Sequence, residues 1–167
     1  SGAIFNKEKL NSVNNHYIKD MVPAEIAKFI APYLDMHNPT EAQLIKVAHL
    51  FRERLNIFSE VKELAGFIFA LPIYEANLLN WKESSKEKTK EKLEVVLNVL
   101  ESIPEDSFDI DSTTTELMPK ANELGRGEVL WPLRAALSGM AKSPSPFEIL
   151  DVLGKKESLR RIKLAID

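Results

Sequence analysis

GEVLWPLRAALSGMAKSPSPFEILDVLGKKESLRRI, residues 127–162, decides the fold, because it reads as helices separated by breaks and shows no period-2 alternation for a strand. A helix is expected from Gly127 to Ser138, with Val129, Leu130 and Leu133 grouped around Trp131. Pro132 removes a backbone donor within it, which predicts a kink or a helix that starts near Leu130. Gly139 and the run Ser143-Pro144-Ser145-Pro146 then interrupt the pattern, and the two prolines restrict the loop. Helices resume from Phe147 to Leu153 and from Lys156 to Ile166.

Upstream, the same periodicity recurs. Residues 6–20 place Leu10, Val13, Asn14 and Tyr17 on one helical face. Pro23 opens a helix reaching Met36, striped by Ile26, Phe29, Ile30 and Tyr33. Asn38-Pro39-Thr40-Glu41 reads as a cap, a proline at the first helical position and a carboxylate at the third. The helix after it carries Leu44, Val47, Ala48 and Phe51 and is expected to end near Leu55. Ser59 is a candidate cap for a short helix ending at Ala65, and the apolar run 67–73 (FIFALPI) is expected to be a buried short helix. Ser84-Ser85 precede KEKTKEKLEVVLNVLESI, where Leu93, Val96, Leu97 and Leu100 form a narrow seam on a solvated helix. Acidic residues 104–112 are the best internal boundary by composition, and a helix from about Thr113 to Leu124 follows. The fold class is all-α.

At 167 residues and 44% hydrophobic content, the chain can build one large domain or two small lobes. No apolar run approaches the roughly 18 residues of a membrane-spanning helix, and no signal peptide opens the sequence. The absence of cysteine excludes disulfides and thiolate zinc sites and fits a cytoplasmic location. Residues 1–4 have no structural logic and are expected to be a linker or an extraneous remnant. A net charge of −3 argues against a protein that coats nucleic acid indiscriminately. The charge is uneven, however. Residues 120–167 hold nine Lys/Arg against six Asp/Glu, and the remainder holds 13 against 19, so the C-terminal third is mildly basic.

Catalytic constellations are missing. His16, His37 and His49 share no ligand spacing, and Gly125-Arg126-Gly127 is too short for a phosphate loop after a strand. Asp109 and Asp111 have the opening spacing of a calcium loop, but Thr114 replaces its turn glycine and Lys120 its bidentate glutamate. Neither enzyme activity nor a metal is expected of this chain by itself.

Residues 127–162 resemble the end of bacterial glutamyl-tRNA synthetases, which share the Pro132-Leu133-Arg134-Ala135-Ala136-Leu137-Ser138-Gly139 run, the small-residue loop, Phe147-Glu148-Ile149 and Leu153-Gly154-Lys155. Lys9-Leu10, Asn14 and Tyr17-Ile18 resemble the segment that follows the K-M-S-K-S loop of that class I family. The likeness is firm at both ends and loose through 56–120. The family's H-I-G-H and K-M-S-K-S motifs are not in the sequence, so the expectation is the anticodon-binding part of a glutamate–tRNA ligase without its catalytic domain.

The resemblance implies a two-lobed α-helix cage, with lobes at 5–80 and 81–167, that reads the anticodon stem-loop of tRNA(Glu). Unstacked anticodon bases expose their pairing edges, and the planar fork of arginine suits two parallel hydrogen bonds. Arg54 aligns with the arginine that meets the third anticodon base. It matches the O2 and N3 acceptors of cytosine and opposes the donors of guanine. The alternative is a surface arginine paired to Glu53 or Glu60. Arg134 aligns with an arginine near the middle base, and its alternative is a buried structural arginine. Trp131 is either a stacking platform or core. Ser143, Pro144 and Pro146 lie in the loop that meets the first base, although Pro146 replaces an aliphatic residue seen in the family. Lys142, Lys155, Lys156, Arg160, Arg161 and Lys163 are candidate phosphate contacts. ATP and magnesium belong to the parent's catalytic domain, which is a partner in cis, and a monomer is expected. The competing reading is a helical protein-interaction module, for which the Lys/Glu-rich helix near 85–103 is the argument.

Overall fold

The computed structural model describes residues 6–167, with Lys7 by its backbone alone, so the remnant or linker expected at 1–4 lies outside the described residues. Eight α-helices occur among the described residues: α1 (Lys7–Asp20), α2 (Pro23–Leu34), α3 (Glu41–Phe51), α4 (Val61–Phe69), α5 (Lys86–Ser102), α6 (Ile110–Leu124), α7 (Arg126–Ser138) and α8 (Pro146–Ile166). No strand occurs among the described residues. The helices form two compact units, the first ending at Phe69 and the second running Ala70–Asp167.

In the first unit α2 packs on α3 and α4. Ile26, Ala27, Ile30 and Leu34 face Val47, Ala48, Leu50, Phe51, Val61 and Ala65 in the core. Of the expected stripe Ile26 and Ile30 are buried, joined by Ala27 and Leu34, whereas Phe29 is exposed. The Phe29 ring lies outside the core, stacked flat on Phe58 at 4.8 Å and 7°. Thr40, not Asn38, caps α3: its hydroxyl accepts from the Gln43 N–H at 3.2 Å, and the Gln43 amide oxygen accepts from the Thr40 N–H at 2.9 Å. Asn38 closes the preceding turn in the left-handed conformation, φ 47°. α3 ends at Phe51, short of Leu55, and residues 52–54 form a turn. α4 starts at Val61 and passes through Gly66, so neither the Ser59 cap nor the stop at Ala65 is realised. Phe67 and Ile68 are buried in its last turn, while 70–73 are not helical.

The expected face of α1 is not the buried one. Leu10, Val13 and Tyr17 are exposed, and among the described side chains of this helix Ile18 alone enters the core. Asn15 fixes the helix by donating from Nδ2 to Leu55 O at 2.7 Å. Asn15 and Ile18 lie about a third of a turn from the apolar stripe, by helical geometry.

In the second unit α7 is central, packing on α5, α6 and α8. Leu93, Val96, Leu100, Leu117, Ala121, Val129, Leu133, Leu137, Ile149, Leu150 and Ile162 form its core. α7 begins at Arg126 and passes through a buried Pro132, so the late start near Leu130 is not needed. α8 contains the predicted break. Gly154, at φ 75° and ψ 168°, separates two helical halves, and Lys155 Nζ beside it donates to Glu101 O and Ile103 O at 2.9 and 2.6 Å. That ammonium satisfies carbonyls left open at the end of α5.

The division after Phe69 differs from the one expected after residue 80. Segment 70–80 is part of the second unit: Trp131 Nε1 donates to Leu78 O at 2.9 Å, and Pro72 and Tyr74 lie against Gly139. Gly139 ends α7 at φ 66°, and any Cβ there would run into Pro72. The acidic segment 104–112 is a corner between helices, not a boundary. Asp109 caps α6 by accepting from Ser112 N–H at 2.8 Å, which starts that helix at Ile110.

Candidate nucleic-acid interface

α7 carries Trp131 and Arg134 on adjacent turns, close to the loop that follows the helix. The Arg134 guanidinium lies over the Trp131 ring, 4.8 Å from its centroid. Its Nη2 donates to Ala141 O at 2.9 Å, while Nε and Nη1 have no partner among the described residues. Nη2 therefore orders the loop, while Nε and Nη1, on opposite sides of the guanidinium, keep donors for a polar ligand. Arg134 is partly exposed, not the buried structural arginine of the alternative reading.

Trp131 is half-buried, neither full core nor a free side chain. Its ring nitrogen is tied to Leu78 O, and its ring meets Trp81 at 5.3 Å and 49°. The indole is thus a fixed, partly exposed support beneath Arg134. Trp81 stands fifty residues from Trp131, and local spacing shows no link between them. Helix α7 lacks a Cβ at Gly127, where one would collide with the Trp81 indole.

The loop 139–145 is held at several points. Ser138 Oγ accepts from Met140 N–H at 3.2 Å, and Glu148 Oε2 accepts from Ser145 N–H at 2.8 Å. Ser145 in turn caps α8 with Pro146 at its first position. Pro144 and Pro146 are buried, so their rings shape the loop from inside and are not surfaces for a base. Ser143 is half-buried, its hydroxyl donating to Pro144 O at 3.2 Å.

Arg161 corrects another expectation. It is 2% exposed, with Nε donating to Glu157 Oε1 at 2.8 Å, Nη1 to Leu137 O at 2.7 Å and Nη2 to Ala70 O at 3.3 Å. Such a guanidinium ties α7 and α8 to residue 70 and is not available to a phosphate. Burial disfavours the Glu157 carboxylate, but hydrogen bonds from Arg161 and Arg160 and their charges outweigh it and hold its pKa below the ordinary value. Lys155 is likewise engaged with backbone carbonyls. Arg160 pairs with Glu157 at 3.3 Å and Lys163 with Glu101 at 2.8 Å, both on the surface. Lys142 and Lys156 are exposed and have no ion pair among the described residues.

In the first unit Arg54 is exposed, in the turn after α3. Its Nη1 donates to Leu50 O at 3.1 Å. The carboxylates considered for it are engaged elsewhere: Glu53 meets Lys19 and Arg52, and the Glu60 carboxylate accepts from Asn56 N–H. No group of three or more His, Cys, Asp or Glu suited to a metal ion occurs among the described residues. No helix among them is long and apolar enough to cross a membrane.

These features agree with comparisons to known proteins. A glutamate–tRNA ligase of Clostridium novyi is 34% identical over 174 residues, covering 100% of this chain and 36% of its own length. One of Herpetosiphon aurantiacus is 37% identical over 176 residues, with 99% and 35% covered. The chain thus spans about a third of the length of the curated relatives it matches. A crystal structure of a glutamate tRNA ligase from Elizabethkingia meningosepticum superposes with a TM-score of 0.84 at 24% identity, over 99% of this chain and 33% of the other, which supports the all-helical fold. The model of the anticodon binding domain family matches residues 25–166, and the chain belongs to that family.

Proposed function

We propose that this chain is the anticodon-reading part of a glutamate–tRNA ligase, acting in the cytoplasm with a catalytic domain in cis that uses ATP and magnesium. The observation that carries the proposal is Arg134: stacked on Trp131, tied to the loop by Nη2, and with Nε and Nη1 unpartnered among the described residues. Ordered donors on an aromatic support can hydrogen-bond a splayed base with little ordering cost. Ser143 and backbone groups of 139–145 are the neighbouring loop contacts. Exposed Lys142 and Lys156 and the rim residues Arg160 and Lys163 are phosphate contacts in this proposal. Arg54 reads the third anticodon base from the first unit, its guanidinium favouring cytosine over guanine.

The test is titration of the chain with tRNA(Glu) at rising salt. Phosphate contacts predict a log affinity that falls linearly with the logarithm of salt concentration, and Arg134→Gln should weaken binding about tenfold or more. Absence of binding at about 50 mM salt would overturn the proposal in favour of the protein-interaction module. In the intact ligase, Arg54→Gln should narrow the preference for tRNA(Glu) over tRNA(Gln). An unchanged ratio would remove Arg54 from the proposal.

A further inference from the structure

The Arg134–Trp131 pair does not end at Trp131. Trp81 meets that ring at 5.3 Å, and Lys82 Nζ lies 5.2 Å from the Trp81 ring centroid. Cation, ring, ring, cation thus follow one another across the second unit: Lys82, Trp81, Trp131, Arg134. Three details show that the outer half of this row is built to shape. Both tryptophans are partly exposed, although indole is among the largest apolar groups a fold can bury. Lys82 is at φ 51°, the first central position of a turn closed by Ser84 N–H to Trp81 O at 3.0 Å, where glycine, asparagine or aspartate is usual. A lysine held there is strained, and the strain accompanies a charge standing over an accessible ring. Finally, Gly127 clears the space that the Trp81 indole occupies against α7.

We infer that Trp81 and Lys82 form a second base-binding position, taking an unpaired nucleotide of the RNA beside the one met by Arg134 and Trp131. Every base has a face that stacks on indole, whereas a cation over an exposed ring is held weakly. The arriving base displaces the Lys82 ammonium from the Trp81 ring, and the ammonium moves to the adjoining phosphate. The inference rests on the proposed anticodon-binding role. It adds that the bound strand is gripped by stacking at a point that hydrogen-bond readout does not use, so this position tolerates any base.

Trp81 and Trp131 are the chain's two tryptophans, which makes the test direct. In Trp131→Phe the remaining indole emission comes from Trp81 alone. Saturation with the anticodon stem-loop of tRNA(Glu) should quench it by stacking, whereas a fully paired RNA duplex should not. Trp81→Leu should weaken stem-loop binding about tenfold, Trp81→Phe by less than threefold, with circular dichroism melts confirming that each variant is folded. If wild-type chain binds the stem-loop and Arg134→Gln reduces that binding, but the Trp81 emission is unmoved or Trp81→Leu binds like wild type, this inference fails and the anticodon role stands. If wild-type chain fails to bind the stem-loop, both fail.

Discussion

Replacing Arg161 by alanine removes the donors to Leu137 O and Ala70 O and the close partner of Glu157. Leu137 is fully buried, so its carbonyl loses a hydrogen bond that water cannot readily replace, at about 1–3 kcal/mol. The arginine stem, 1% exposed as a side chain, leaves a void that adds to this. Breaking a buried ion pair costs about 3–5 kcal/mol when the remaining charge is enclosed. Glu157 is 32% exposed and keeps Arg160, so the total should fall at the lower end, about 3 kcal/mol. With a urea slope of about 2 kcal/mol/M, the unfolding midpoint should drop by about 1.5 M. A loss below about 1 kcal/mol would refute the structural role. Arg161→Met, which keeps the stem's packing, carries the second arm. A phosphate contact would remove about 0.7–0.9 from the slope of log affinity against log salt, whereas a buried tie leaves the slope unchanged.

Glycines at two positions should respond with opposite signs. A Cβ at Gly66 meets nothing within 4 Å, so Gly66→Ala in α4 should stabilise by about 0.5–1 kcal/mol in a denaturant melt. Gly139→Ala combines a left-handed φ of 66° with a collision against Pro72 and Tyr74, and should destabilise by about 2 kcal/mol or more. Thr40→Ala removes the α3 capping box and should lower stability by about 1 kcal/mol in the same assay. The Glu157 carboxylate has a folded pKa below its ordinary 4.5. Its contribution is therefore complete above pH 4.5 and is lost as pH falls through the folded value. Glu157→Gln should be less stable than wild type near neutrality, and the difference should shrink in urea melts taken progressively below pH 4.5.

Helices α7 and α8 could be located closely from the chain alone because their breaks at Gly139 and Gly154 are local chemistry, whereas the Asp109 cap starts α6 three residues before the expected Thr113. Arg134 and its loop were legible because α7, the turn and α8 are contiguous in sequence. Burial was harder to read. Arg161 stands in a basic helix among Arg160 and Lys163, and its enclosure depends on Leu137 and Ala70, remote residues that no periodicity connects to it. The stripe on α1 predicts a buried face, yet Asn15 and Ile18 seat the helix on another side. Pattern identifies a face that can be buried; the partner supplied by the fold decides whether it is. Trp81 was missed for the same reason, since only the folding of segment 70–80 onto α7 brings it to Trp131.

The break at Gly154 has a consequence for how the two halves of α8 are seated. Its backbone lies in a region that side chains other than hydrogen hardly tolerate, so the position has little freedom of its own. What it gives is a separate bearing to each flank. Inserting or deleting one residue in an unbroken helix rotates everything beyond it by about 100° relative to the rest. With the helical phase interrupted at 154, the bearing of Lys155, Arg161 and Ile162 on α5 and α7 is set by the break and not by a continuation of the turns before it. Ile149 and Leu150, buried before the break, and Arg161 and Ile162, buried after it, thus seat the two halves on the core at different bearings.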